Sequence, residues 1–495
     1  MDFLDPKKKK AHKIRLFVGY FLMAIAIGIG AFVLLYAAYG YSVDRSGNVF
    51  QNSLVFLAST PDSAEANITD IRAGSTQRAT TSTRLVLPAG EYSFELLKEG
   101  YRPWSRTIML GGGQVERLLY PFLFPDDLVI SDRQLYAVPP ELSTVSPDRH
   151  WIIVQSPTQF NVFDVFDANN PQTIARPIVV PAHLFTPTAQ QQKLELVEWS
   201  TNNRHVLLRY IFDGQTEFIL LDRESPQNSI NINKHMGVNP VTATLRDKHF
   251  ERLYLLMPDG QLFRANTRTQ TTDLLLQNVV TFWPHGSDTV AYISNRDTTE
   301  TKQVSVNILE ADQNYEIRTL PQSEGYLIDL ARYNDRWYLA VGAATSDRIF
   351  VYRDPVEAIR SRGTSSLSTT RTLRLDNPQK LSFSNNAQFI SVQSGQHFVV
   401  YDAETDLQHR YTIEEPFDNA VPAIWMDGHR LTGVTKGKIL VFDFNGINQQ
   451  VLSPALPLTN AMFDRDYTGL YTVAPSVNVT GRYALTRTEL RVENN

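Results

Sequence analysis

The stretch VSPDRHWIIVQSPTQFNVFDVFD, residues 145–167, decides the fold. It opens on Ser146-Pro147-Asp148, residue types that favour a tight turn. Trp151–Val154 follows, an apolar run too short for a helix, and Ser156-Pro157-Thr158 interrupts it. A second apolar run, Val162–Phe166, ends on Asp167. The unit therefore reads as turn, strand, gap, strand. A single hairpin buries too little to stand alone, so its meaning depends on whether the chain repeats it.

It does, seven more times. The later copies begin at Glu198, Leu245, Phe282, Ala331, Phe383, Trp425 and Phe463, the last ending near TELRV. Successive starts lie roughly 37 to 53 residues apart, close to the period of one four-stranded propeller blade. Each blade leaves an apolar face that only a neighbour covers, so the array must stack and close. Eight blades are expected, with seven as the alternative. A strand near Leu128 to Ile130 or Leu135 to Val138 is expected to pair with the last blade and close the ring.

Related positions carry related residues. Trp151 and Trp337 follow Asp-Arg turns, while Trp199, Trp283 and Trp425 precede turns. These five are expected to pack between blades rather than to stack on sugars. Asp167, Asp222, Asp402 and Asp443 end apolar runs and are expected to accept turn N–H groups. The polar insertion Ala358 to Thr370 reads as a mobile loop. The array resembles TolB-like and WD40-like propellers, with Val145-Ser146-Pro147-Asp148 matching the recurrent turn of the TolB-like group. Arg149 stands where that turn usually carries Gly.

Upstream lies a different pattern. LPAGEYSFELLKEGYRPWSRTI, residues 87–108, alternates Tyr92, Phe94 and Leu96 on one face of a strand. Gly100 breaks it, and Trp104 and Ile108 belong to the next strand. Earlier, Leu54, Phe56 and Ala58 alternate before a turn at Thr60-Pro61-Asp62. Residues 51–122 resemble the PEGA domain, a small β-sandwich of microbial surface proteins. The motifs are Pro61-Asp62-Ser63-Ala64, Leu87-Pro88-Ala89-Gly90-Glu91-Tyr92 and Glu99-Gly100-Tyr101. Asp62 and Ser63 replace the Glu and Gly of the naming motif. The resemblance implies a non-enzymatic surface or adhesion-like spacer.

Leu16 to Tyr39 is uncharged over 24 residues, about 36 Å as a helix against a bilayer core of ~30 Å. Tyr20, Tyr36 and Tyr39 lie towards its ends, where interfacial aromatics belong. Lys7, Lys8, Lys9, Lys10, Lys13 and Arg15 precede it against Asp2 and Asp5, which predicts a cytoplasmic N-terminus and an exported remainder. A signal peptide cleaved near Ala38-Tyr39-Gly40 competes, but the apolar run exceeds the usual length of such segments, favouring an uncleaved anchor. The expected order is a basic tail (1–15), a transmembrane helix (16–39), a linker (40–50), the sandwich (51–122) and the propeller (126–495).

Composition narrows the chemistry. The chain has no cysteine, which excludes disulfides, thiolate metal sites and a cysteine nucleophile. The net charge of −5, with the basic residues concentrated at the N-terminus, argues against a nucleic-acid partner. No zinc-protease motif, nucleophile elbow, P-loop or dinucleotide fingerprint occurs. His150, His205 and His249 fall in turns of successive copies and read as turn residues rather than a metal site. Gly111-Gly112-Gly113 reads as a loop, not a phosphate cradle, and the Asn67 and Asn478 glycosylation motifs as incidental. Asp148, Asp247 and Asp329 are the carboxylates a glycosidase-like funnel would draw on. No catalytic, cofactor or metal residue is assigned. The expectation is a single-pass, non-catalytic envelope protein whose propeller binds an envelope protein or glycan. An envelope hydrolase and a purely structural surface protein are the alternatives.

Overall fold

The computed structural model describes residues 6–43, 49–187, 189–295, 302–363 and 367–492. The chain divides into two compact units, Met1–Asp127 and Leu128–Asn495.

In the first unit, helix α1 spans Pro6–Ala38 and is long and apolar enough to cross a membrane. The helix begins before the apolar stretch and takes in Lys7 to Arg15, because nothing in PKKKKAHKIR breaks a helix after its opening proline. Of the stretch expected as a linker, residues 44–48 lie outside the described residues. Tyr41–Val43 is a strand paired antiparallel with Val49–Gln51.

Two four-stranded sheets follow. One is built on Val49–Leu57, which pairs with Tyr41–Val43, Thr83–Pro88 and, in parallel, Val115–Leu118. The other runs Ser75–Thr80, Glu65–Asp70, Gly90–Lys98, Tyr101–Leu110. Tyr92, Phe94 and Leu96 are buried together, as are Trp104 and Ile108. Gly100 takes φ +76° at the hairpin corner, a conformation glycine adopts freely.

The first strand departs from expectation. Its buried face is Ser53, Val55 and Leu57, while Leu54, Phe56 and Ala58 point outward and stay partly exposed. Apolar residues occupy both faces, so alternation alone left the register open. The buried Ser53 hydroxyl is satisfied by donating to the Gly111 carbonyl at 2.6 Å.

The second unit contains eight four-stranded antiparallel sheets, and each of the eight sequence copies falls on one of them. Most copies start at or near the end of an innermost strand and run through the next two; the fourth starts within its innermost strand and reaches only the next. Ring closure is visible in the packing. Apolar clusters join sheet one to two, two to three, three to four, four to five, five to six and six to seven. Sheets seven and eight are tied by Leu456 N–H donating to Val473 O and Thr472 Oγ1 donating to Pro454 O, both at 2.8 Å. A further cluster joins sheet eight back to sheet one, through Met462, Tyr471 and Leu485 against Ile152 and Val154. The outermost strand of sheet eight is Ile130–Tyr136, from the start of the unit, so the closing strand lies within the region the sequence marked. The unit is an eight-bladed β-propeller.

Two smaller expectations need correction. Part of the segment read as a mobile loop is ordered: Pro355–Arg362 is a helix, and Val356 and Ile359 pack into the cluster between blades four and five. Residues 364–366 lie outside the described residues. Trp283 does not pack between blades; it is 46% exposed. Its strand shifts register between Val279 and Thr281, and Phe282 enters the cluster between blades three and four instead. Trp151, Trp199, Trp337 and Trp425 do pack against inter-blade clusters.

Candidate binding site

Strands alternate in direction within each blade, so turns between strands one and two all lie at one end of the ring. The connectors that lead from one blade into the next lie at the other end. The two ends differ in what they offer.

The first-turn end is tied together. In blades one, two, six and eight the turn has one geometry. A Ser or Asp carbonyl (Ser146, Ser200, Ser384, Asp464) accepts from the N–H three residues on, at 2.8 to 3.3 Å. That donor is Arg149, Asn203, Ala387 or Tyr467, and all four have φ between +52° and +60°. These turns also reach across blade boundaries. Asp148 N–H donates to Asn203 Oδ1 at 3.1 Å, and Ser200 Oγ to Lys248 O at 2.8 Å. Arg246 Nε donates to Ser287 O at 2.9 Å, and Phe383 N–H to Asp329 Oδ2 at 3.1 Å. Arg149 reaches furthest. Its Nη2 donates to Met426 O in blade seven at 2.8 Å, and its guanidinium lies 4.2 Å from the Tyr467 ring centre in blade eight.

The aspartates singled out in the sequence end third strands and serve the turns that follow them, at the same end of the ring. Asp167 and Asp222 each accept two turn N–H groups through Oδ1, from Asn169 and Asn170 and from Glu224 and Ser225, at 3.0 to 3.1 Å. Asp402 accepts from Glu404 N–H at 2.9 Å. Asp443 instead accepts from the Asn448 side-chain amide at 2.8 Å. Burial opposes the Asp222 charge, but Arg204 grips both oxygens, at 2.7 and 2.5 Å, and holds the carboxyl below the usual aspartate range. His205 and His249 both stack on Phe250, with ring centres 4.0 and 5.2 Å away, and burial lowers the basicity of His205. His150 stacks on Trp151 and faces Asp167 at 3.1 Å. No group of three or more metal-ligating side chains is gathered among the described residues.

The three carboxylates weighed for catalysis do not meet. Asp148 and Asp247 sit in the first turns of blades one and three, Asp329 within the innermost strand of blade five. Burial pushes the Asp329 carboxyl up to about 6, against the pull of the Phe383 and Leu330 N–H donors and of Lys380 and Lys248. Gly111 to Gly113 form a turn packed on Gln51 and Asn52, with Gly113 N–H donating to Asn52 O at 2.9 Å.

The opposite end opens into a vestibule of about 850 Å³. Its cause is the length of three consecutive innermost strands. Those of blades seven, eight and one are Ile424–Trp425, Met462–Phe463 and Ser143–Val145. The equivalent strands of blades two and five have eight residues each. The truncated strands leave room that their connectors line: Pro139 to Leu142 on one side and Leu456 to Ala461 on the other. Proline donates no N–H, so Pro139, Pro140 and Pro457 help to keep these strands short. Blade two supplies the remaining wall, with Lys193 Nζ 2.9 Å from Glu195 Oε1. Leu458 stands 69% exposed at the site, and Asn419 and Asn460 offer neutral polar groups. Among the described residues, no aromatic side chain lines the vestibule. The sequence named Val145 only as part of a turn motif and none of the other lining residues; the available signal was proline shortly before copies one and eight.

No family model matches the chain, and no curated protein matches it. Among solved structures, an oligogalacturonate lyase from Vibrio parahaemolyticus superposes with TM-score 0.39 at 9% identity, over 74% of this chain and 99% of that one. The Dos1 propeller does so with TM-score 0.44 at 12% identity, over 74% and 96%. Dipeptidyl peptidase 4 from Porphyromonas gingivalis gives TM-score 0.44 at 12% identity, over 70% and 57%. Likeness at this level says nothing of activity.

Proposed function

We propose that the chain is a membrane-tethered, non-catalytic binding protein of the cell envelope. In this reading α1 is a single-pass anchor with the N-terminus in the cytoplasm. The two-sheet unit is a PEGA-like spacer, and the TolB-like propeller presents its vestibule to an envelope partner. The observation that carries the reading is the vestibule itself: a wide, mainly apolar recess with neutral amides, the Lys193–Glu195 pair and Glu141. Such a lining suits an extended polypeptide segment. A glycan is the weaker candidate, because sugar recognition leans on exposed aromatic faces and none is present there.

The test uses the full-length chain in detergent. Pull-down from envelope extracts is expected to retain a protein, and Leu458→Asp is expected to lose it while Ile174→Asp, on a 91% exposed loop site, keeps it. A glycan array and a polysaccharide hydrolysis assay run in parallel. Glycan turnover that Glu195→Gln abolishes would overturn the non-catalytic reading. Degradation of the propeller by protease added to intact cells is the expected sign of export, and full protection there would overturn the topology.

A further inference from the structure

We propose that the outward face of the sheet built on Val49–Leu57 docks on an anionic bilayer surface. The face is assembled in register. Leu54 lies between Val86 and Val115, and the next row sets Phe56 between Arg84 and Arg117. Pro88 stands beside Asn52 before these rows, and Leu119 follows beyond them beside Ala58. Val86, Val115 and Leu119 are 58%, 45% and 57% exposed. These rows contain no carboxylate. Neither the Arg84 nor the Arg117 side chain makes an ion pair or hydrogen bond among the described residues.

A solvated sheet face normally alternates to polar residues; this one carries aliphatics, a phenylalanine and two unpaired cations. That combination matches the interfacial layer of a membrane with anionic headgroups, where aliphatic and aromatic groups insert and guanidinium groups meet phosphates. A binding surface for an acidic protein is the competing chemistry.

The chain path favours the membrane. The sheet is joined to α1 by hydrogen bonds rather than by slack. Asn52 N–H donates to Gly40 O at 2.8 Å, and Gln51 Nε2 to Tyr39 O at 3.1 Å. The Tyr36 and Tyr41 rings meet at 4.8 Å. Phe56 lies four residues along the strand from Asn52, about 13 Å, so the face meets the headgroup layer, about 5–8 Å deep, when the strand lies along the membrane plane. The inference rests on α1 being a membrane anchor.

The chain has no cysteine, so one introduced thiol is unique. Full-length Val86→Cys and, on the other sheet, Thr107→Cys are labelled with an environment-sensitive fluorophore. Each is then placed in bilayers carrying nitroxide-labelled headgroups. In phosphatidylglycerol-rich bilayers the label at 86 is expected to be quenched well beyond that at 107. Added salt and Arg84→Glu/Arg117→Glu are both expected to reverse this. The docked-to-free ratio should fall on the order of fivefold per arginine lost. Equal quenching at the two positions would overturn the proposal, as would quenching indifferent to lipid charge, salt and both arginines. So would protection of position 86 seen only in native membranes, which would assign the face to a protein. Carbonate extraction of the chain from the bilayer would overturn the anchor and the docking with it, whereas failed quenching in a carbonate-resistant chain overturns the docking alone.

Discussion

Arg149 and Ser63 occupy backbone that glycine favours, at φ +59° and +57°, yet the consequences differ. For most residues this conformation costs about 1 kcal/mol. Ser63→Gly removes that cost and is expected to raise stability by roughly 0.5–1 kcal/mol in urea melts. Arg149→Gly gains the same relief but loses a charged hydrogen bond to Met426 O and the contact with Tyr467, so it is expected to destabilise by about 1–2 kcal/mol. Asp329 gives a pH dependence of fixed sign. Its folded-state pKa of about 6 lies above the ordinary aspartate value, so the native state binds the proton more tightly than the unfolded chain. Stability from this group is intact below about pH 4 and falls as pH rises to 6, by roughly 2–3 kcal/mol. Asp329→Asn should flatten that slope between pH 4 and 7 in urea midpoints. An unchanged slope would show that the carboxyl is not held neutral.

At the scale of elements, the repeat was legible because each copy names its own turn. Ser146-Pro147-Asp148 and Ser384-Asn385-Asn386 build the same bend and start the next strand five residues on. Strand faces were less legible where both sides are apolar, as in Val49–Leu57, since period-two patterning then carries no direction. The vestibule was not legible, because it depends on where innermost strands stop. An inner edge facing the channel needs no partner and leaves no pattern. The closing strand is a testable element. Asp132, in Ile130–Tyr136, accepts from Ser476 Oγ at 2.6 Å, from the Val477 and Asn478 N–H groups at 3.2 Å, and from Asn478 Nδ2 at 3.0 Å. Asp132→Ala removes these bonds at a largely exposed loop, where water and, for the Asn478 N–H, Ser476 Oγ take over, and is expected to cost about 1 kcal/mol. Limited proteolysis should then cut first between Leu128 and Val138, the strand that zips the ring. Cleavage elsewhere with the same pattern as the parent would contradict its role.

For the second unit as a whole, the ring has an asymmetry that its shared four-stranded blade plan does not require. One end is laced by turns that reach across blade boundaries, and Arg149 brings blades one, seven and eight together there. The other end opens where those same three blades have their shortest inner strands. A braced seam at the end opposite the recess holds these three blades in register and leaves the recess open. The most direct test places a photoreactive amino acid at Leu458 in the vestibule and, separately, at Ile174 on the propeller's exterior, in the full-length chain in its native membrane. Irradiation is expected to cross-link position 458 to a discrete polypeptide, with little or no adduct from 174. Absence of any adduct at 458, or the same adducts at both positions, would contradict a binding role for the vestibule.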